Sequence, residues 1–191
     1  MTSRFINGGL ILLTIIGGLM ATKAGARNQQ LLTTYRKLEA KVGSLPIRDK
    51  TKVYFLALPT EEPLHYAWRV YLPGNFQYRW EYNSGSHSGS NSNSREFIAQ
   101  VRFRESGGQG QVFFQALGGS SSLSLNDQNL ANYLKERPDQ LVVQQLADKN
   151  IHVANDDEVN VVLRLALPEE PEKTIFELKF GSTEAFEKQA R

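Results

Sequence analysis

Eighteen residues near the start of the chain, Phe5 to Thr22, limit its architecture more than any other stretch. They read FINGGLILLTIIGGLMAT, apolar apart from Asn7, Thr14 and the closing Thr22, and carry no charge. As a helix rising about 1.5 Å per residue they would reach roughly 27 Å, enough to cross a bilayer core. Arg4 bounds one end, and Lys23 and Arg27 the other. The expectation is a retained transmembrane helix over 5–22, a signal anchor, behind a short tail (1–4). A cleaved signal peptide is the competing reading. Arg4, Leu10 to Met20 and Ala24-Gly25-Ala26 supply the basic start, apolar middle and small residues at a cut site. Lys23, lying between that middle and the cut site, speaks against cleavage, which would leave a secreted soluble protein.

Residues 23–44 read as a helical stalk. Arg27 to Val42 holds good helix formers and no breaker, and Gly43-Ser44 and then Pro46 stop it. Leu31, Tyr35, Leu38 and Val42 step as a heptad seam, the spacing of a short coiled coil. Run backwards, that register falls on Asn28, Ala24, Ala21, Gly17, Thr14, Leu10 and Asn7. Inside the span the seam is mostly small or polar. Lipid offers no hydrophobic drive, so helices associate there through close packing and hydrogen bonds. Beyond the span the seam turns large and apolar, as water favours. A stalk that packs on its own domain, with the small residues of the span incidental, is the first expectation. One continuous helix pairing in parallel with a second copy is the hypothesis set beside it.

Orientation follows from opposed signals. Lys23, Arg27, Arg36 and Lys37 behind the span outnumber Arg4 in front, which places the domain in the cytoplasm by the positive-inside count. The very short basic front tail and the exported look of the domain's composition place it outside. The expectation is a single-pass protein with an extracytoplasmic domain. The chain has no Cys, so it can form neither a disulfide nor a thiolate site. Net charge is +2, from 22 basic and 20 acidic residues, and nothing in that balance points to nucleic acid.

Residues 45–181 read as one β-rich domain in an α+β chain, mainly antiparallel, either sandwich-like or a sheet with one or two helices. Hydrophobic residues make up 40% of the chain and aromatic ones 10%, enough for a folded core. Lys52 to Leu58 is a strand stopped by Pro59. Leu64 to Leu72 alternates, with Leu64, Tyr66, Trp68, Val70 and Leu72 on one face. Phe76 to Tyr82 alternates again, with Phe76, Tyr78, Trp80 and Tyr82 together. The short links make these three strands antiparallel neighbours. Asn83 to Ser94, NSGSHSGSNSNS, reads as a flexible polar loop (83–94). Phe97 to Phe103 and Val112 to Leu117 are further strands joined at Gly107 to Gly110. Asn126 or Asp127 caps a helix with Leu130, Tyr133 and Leu134 inward, ended by Pro138. Leu141 to Leu146, Glu158 to Leu167 and Thr174 to Phe180 complete the strands, and 182–191 is a polar, frayed tail. Leu56-Ala57-Leu58-Pro59-Thr60-Glu61-Glu62-Pro63 is echoed by Leu165-Ala166-Leu167-Pro168-Glu169-Glu170-Pro171. The echo reads as two uses of one turn solution.

No reactive constellation stands out, so no catalytic residue, metal ligand or cofactor is expected. Gly85-Ser86-His87-Ser88-Gly89 has His where a nucleophile elbow needs Ser. His65, His87 and His152 lack ligand spacing. Glu61-Glu62 and Glu169-Glu170 are the candidates for a pair of glycosidase acids, the basis of an alternative reading as an envelope hydrolase. Two surface features remain. Arg69, Arg79, Arg102, Arg104 and Arg164 point outward and would form a basic band if their strands adjoin, suited to an anionic envelope partner. Tyr66, Trp68, Phe76, Tyr78, Trp80 and Tyr82 form an aromatic row, expected in the core more than on a sugar platform. The order of parts resembles the layout of bitopic envelope scaffolds such as the rod-shape protein family, with a membrane helix, a coil and β-barrels. That likeness carries no residue over. The functional expectation is a membrane-anchored binding or scaffold subunit.

Overall fold

A computed structural model describes residues 45–83, 85–117, 119–148 and 150–190. The span, the stalk and the seam from Asn7 to Val42 lie outside these residues. Among the described residues no helix is long and apolar enough to cross a membrane. The compact unit begins at Leu45.

It is built from two antiparallel sheets and two short helices, the mainly antiparallel β domain expected. The strands are β1 (Val53–Leu58), β2 (His65–Leu72), β3 (Phe76–Tyr82), β4 (Gly85–Asn91), β5 (Arg95–Ser106) and β6 (Gln109–Ala116). After them come β7 (Gly119–Leu125), β8 (Val142–Gln145), β9 (His152–Ala154), β10 (Asn160–Leu167) and β11 (Glu170–Ser182). Helix α1 (Gln128–Glu136) follows β7, and α2 (Thr183–Gln189) follows β11. The first sheet has the order β7-β6-β5-β2-β1-β9, the second β4-β3-β11-β10-β8.

The alternating aromatics explain this pairing of layers. Trp68 on β2 and Trp80 on β3 are both fully buried, with Phe55, Phe176 and Phe180 beside them in one core. Rings from the two sheets meet directly, Phe55 with Trp80 and Phe180, Trp80 with Phe114, and Phe103 with Phe176. The aromatic row is core, as expected, but it comes from two sheets facing each other. Therefore β2 and β3 are not neighbours, and that expectation is corrected. Side by side they would bare one large apolar face. In opposite sheets each covers the other. The Pro73-Gly74-Asn75 link is a corner between sheets, with Asn75 in the left-handed region at φ 58°. It lies against the return link, where the carbonyl of Ser92 would be 3.3 Å from a Cβ on Gly74. Asn91 Nδ2 ties the two corners by donating to Pro73 and Asn93 carbonyls at 2.7 and 2.8 Å.

The expected loop 83–94 is mostly strand β4, in register with β3 from Phe76↔Asn91 to Tyr82↔Gly85. Its glycines are seats for rings. A Cβ on Gly89 would come 2.6 Å from the Tyr78 Oη, and one on Gly85 2.5 Å from the Tyr82 ring. The tyrosines of β3 thus fold over a partner strand that has no side chain in their way. Asn83, at φ 30°, anchors the turn between them. Its amide imitates a strand, donating to the Ile175 carbonyl at 2.7 Å and accepting from Glu177 N at 3.0 Å.

The polar tail is also corrected. Ser182 caps α2 by accepting from Ala185 N at 3.0 Å, and Phe186 is buried on the outer face of the second sheet. Gly181 leaves the room, since a Cβ there would meet Phe186 at 3.4 Å and the Glu158 carbonyl at 3.0 Å. In β10 the register shifts between Val161 and Leu163, so Val162 is buried where simple alternation places Val161 inward. Strands β7 and β9 were not expected. Helix α1 is as expected, with Asp127 accepting from Leu130 N at 3.0 Å. It packs on β5 and β6, where Leu130 and Leu134 approach Gly110.

Candidate functional site

The outer face of the six-stranded sheet is not uniform. At β1 and β2 it is covered. Leu45, Tyr54 and Tyr71 form a second small core with Ile47, Leu56 and Ile151. The chain entering at Leu45 is held there, because Asp49 N donates to the Tyr54 hydroxyl at 2.7 Å and the Tyr71 hydroxyl donates to the Lys50 carbonyl at 3.3 Å. At β5, β6 and β7 the same face is open, as a shallow groove of about 490 Å³.

Register builds the groove in rows. One row runs Ser122, Phe113, Arg102, His65 from β7 to β2. A second runs Ser120, Gln115, Gln100, Ala67, and a third Ser124, Gln111, Arg104. Neighbouring strands lie about 4.8 Å apart, so a four-residue row spans roughly 14 Å. Phe113 is 42% exposed, an aromatic ring set among amides, hydroxyls and guanidiniums.

These groups are already ordered by one another. Gln100 Nε2 donates to Gln115 Oε1 at 2.6 Å. His65 Nε2 is 3.2 Å from Gln100 Oε1, and its Nδ1 is 3.5 Å from Arg102 Nη2. An amide oxygen only accepts and a guanidinium only donates, so the arrangement suits a ring proton on Nε2 facing Gln100 and a lone pair on Nδ1 facing Arg102. Arg102 lies 3.4 Å from Glu62 Oε2, and Arg104 lies 4.0 Å from the same oxygen. Two guanidiniums thus share one carboxylate, and Arg104 is more than half exposed.

The five-arginine basic band does not form. Arg69, Arg102 and Arg104 stand on the outer face of the first sheet, while Arg79 and Arg164 stand on the outer face of the second. Arg79 pairs with Glu81 at 2.8 Å under Phe186, and Arg164 pairs with Glu177 at 2.7 Å. A period-two pattern shows that a residue points outward, but it cannot show which of two sheets it points away from. Sequence reasoning also missed Phe113, Gln100, Gln115 and the serines of β7. The available signal was Phe113 itself, the out-of-phase aromatic beside inward Phe114.

The acid pairs do not meet in one pocket. Glu62 turns to Arg102 and Arg104. Glu169 and Glu170 line a polar pocket of about 290 Å³ beside α1, without Glu61 or Glu62. There the Tyr133 hydroxyl donates to Glu169, which holds that carboxyl below its ordinary range and raises the tyrosine. A glycosidase acid needs the opposite shift. Among the described residues no group of His, Asp and Glu is placed to hold a metal ion.

Compared with protein-family profiles, curated proteins and solved structures, the chain finds no match in any of the three.

Proposed function

We propose that the chain is a single-pass membrane-anchored protein whose β-sandwich is a binding module, working as a scaffold subunit of the envelope. The groove at β5, β6 and β7 carries this reading. It is open and hydrogen-bonded into shape, and it presents an aromatic and two arginines. It lies on the half of the sheet face that the small core around Leu45, Tyr54 and Tyr71 leaves uncovered. The uncharged stretch Phe5–Thr22 supports the anchor. The small and polar seam through Gly17, Ala21 and Ala24 supports a parallel pair.

The test has three parts. Alkaline carbonate washing should leave the full-length chain in the membrane pellet; release into the supernatant refutes the anchor. Cys placed at Ala21 or Leu31 should crosslink in membranes, and a monomer alone refutes the pair. Pull-down of the full-length protein from detergent extracts should recover a partner that the Phe113→Ser/Arg104→Gln variant loses. Equal recovery by the variant refutes the groove.

A further inference from the structure

The geometry points to an acidic polysaccharide as the ligand of the groove on β5, β6 and β7. This assignment rests on the binding-module reading and specifies it. The Phe113 ring is apolar and half open, and it is flanked along its row by Arg102 and Ser122. A protein hot spot of that size would bring further exposed apolar groups around it. Here the neighbours in the groove are the amides of Gln100 and Gln115 and the serine hydroxyls of β7, and the exposed Ile98 on the same face of β5 stands beyond Gln100 and outside the groove lining. A sugar ring matches that mixture, with a C–H face for the phenyl ring and a rim of hydroxyls for amides and serines. The arginines choose among sugars. A planar guanidinium fork fits a carboxylate through two hydrogen bonds, which a compact ammonium cannot do. Arg102 and Arg104 reach the Glu62 carboxylate at 3.4 and 4.0 Å, and Arg104 is more than half exposed, so an acidic residue on the ligand would meet an accessible guanidinium there. A lipid surface would call for protruding apolar side chains ringed by cations. The groove instead lays its one aromatic level with hydrogen-bonding groups.

The probe is a polyuronate oligomer, with its methyl ester as the same backbone without charge. Binding is measured by calorimetry on the full-length chain in a neutral detergent. The polyuronate should bind, and should weaken as salt is raised. The methyl ester and the Arg104→Gln variant should each lose about tenfold, the scale of one charge-assisted pair. Phe113→Ser should weaken acid and ester alike. Both side chains are solvent-facing, and unchanged thermal melting of the variants verifies that they fold. No polyuronate binding, or equal binding by the Phe113→Ser/Arg104→Gln variant, overturns the saccharide assignment. Vesicles containing anionic lipid that bind the wild type and not that variant, while the polyuronate fails, also overturn it in favour of a membrane surface. Failure with the polyuronate alongside a protein partner lost by the same variant overturns the ligand while leaving the binding module intact. Failure of every arm removes both.

Discussion

Gly89→Ala should destabilise the sandwich, and the sign of the effect separates a strand from a loop. In a flexible loop, replacing Gly by Ala restricts the unfolded chain and stabilises by about 0.4–1 kcal/mol. At Gly89 the new methyl would lie 2.6 Å from the Tyr78 Oη and 2.9 Å from its Cζ. Tyr78 is only 3% exposed and its hydroxyl donates to the Leu117 carbonyl at 3.1 Å, so the ring has no free direction to move. Overpacking of this kind costs about 1–3 kcal/mol. Breaking the Tyr78 hydrogen bond adds roughly 0.5–1.5 kcal/mol. Removing a strand glycine returns about 0.5–1 kcal/mol. The net expectation is a loss of about 0.5–4 kcal/mol, centred near 2. Gly85→Ala is the internal control. The same clash falls there on Tyr82, whose ring is partly exposed and can swing aside. Its cost should be smaller. Urea unfolding of residues 45–191, monitored by tryptophan fluorescence, reads both. A stabilised Gly89→Ala would refute β4, and with it the seating of Tyr78.

Three further outcomes follow from individual contacts. Trp68 Nε1 donates to the Leu146 carbonyl at 2.9 Å, while the equally buried Trp80 Nε1 has no partner among the described residues. Trp68→Phe should therefore lower the urea midpoint more than Trp80→Phe, and the reverse order would refute the contribution of that bond. Asn83→Ala removes both amide bonds to β11 and places Ala at positive φ, so it should cost about 1–3 kcal/mol in the same assay. No change would mean that the turn holds without them. Burial alone would raise the Glu177 carboxyl, but hydrogen bonds from Arg164 and Lys179 outweigh it and hold the group below its ordinary range. A folded-state value below the unfolded one stabilises above about pH 4 and is lost as the pH falls through the folded value. Glu177→Gln should then be less stable than the wild type at pH 7 by at most about 1 kcal/mol, with the gap closing in acid. A gap that persists at pH 3 would assign the effect to something other than charge.

Strand faces could be read from alternation because each buried strand has one solvent and one core. Leu64 to Leu72 and Phe76 to Tyr82 show this, and every inward residue expected there lies in or against the main core. Alternation says nothing about which sheet a strand joins, so it cannot separate β2 from β3 or divide the five arginines between two faces. Low complexity misled for a related reason. The residues of β4 are small because Tyr78 and Tyr82 occupy the space above them, so the evidence for the strand lies on its partner. Likewise Ser120, Ser122 and Ser124 of β7 are exposed, and no packing there calls for a large side chain. The echo shows how short similarity fails. In β1, Ala57 faces the main core and Leu56 the small outer one. In β10, Leu165 and Leu167 face the main core. A shift of one residue inverts every side chain, so the two copies are not superposable hairpins. They are separate uses of a Pro-bounded acidic link, as the thin similarity around them implied.

The two Ser-rich strands raise a last question of solubility. Both β4 and β7 are edge strands of seven residues. Neither contains Pro, Lys or a break in register, the usual protections against pairing with another chain. The structure offers a different guard. His87 on β4 and Tyr78 on β3 both donate to the Leu117 carbonyl, at 3.1 Å each. The imidazole is thereby held over the start of β7, 3.4 Å from where a Cβ on Gly119 would sit. The ring thus lies over the face of β7 at its first residue, and its bond to the Leu117 carbonyl ties the two edge strands to each other. Removing the guard by His87→Ala with Tyr78→Phe should leave the core aromatic in place and free the edge. Sedimentation velocity on residues 45–191 should then show concentration-dependent association that the wild type lacks. If the double variant sediments as the wild type does across the same concentrations, the ring is not what keeps the edge unpaired, and the outward serines must suffice.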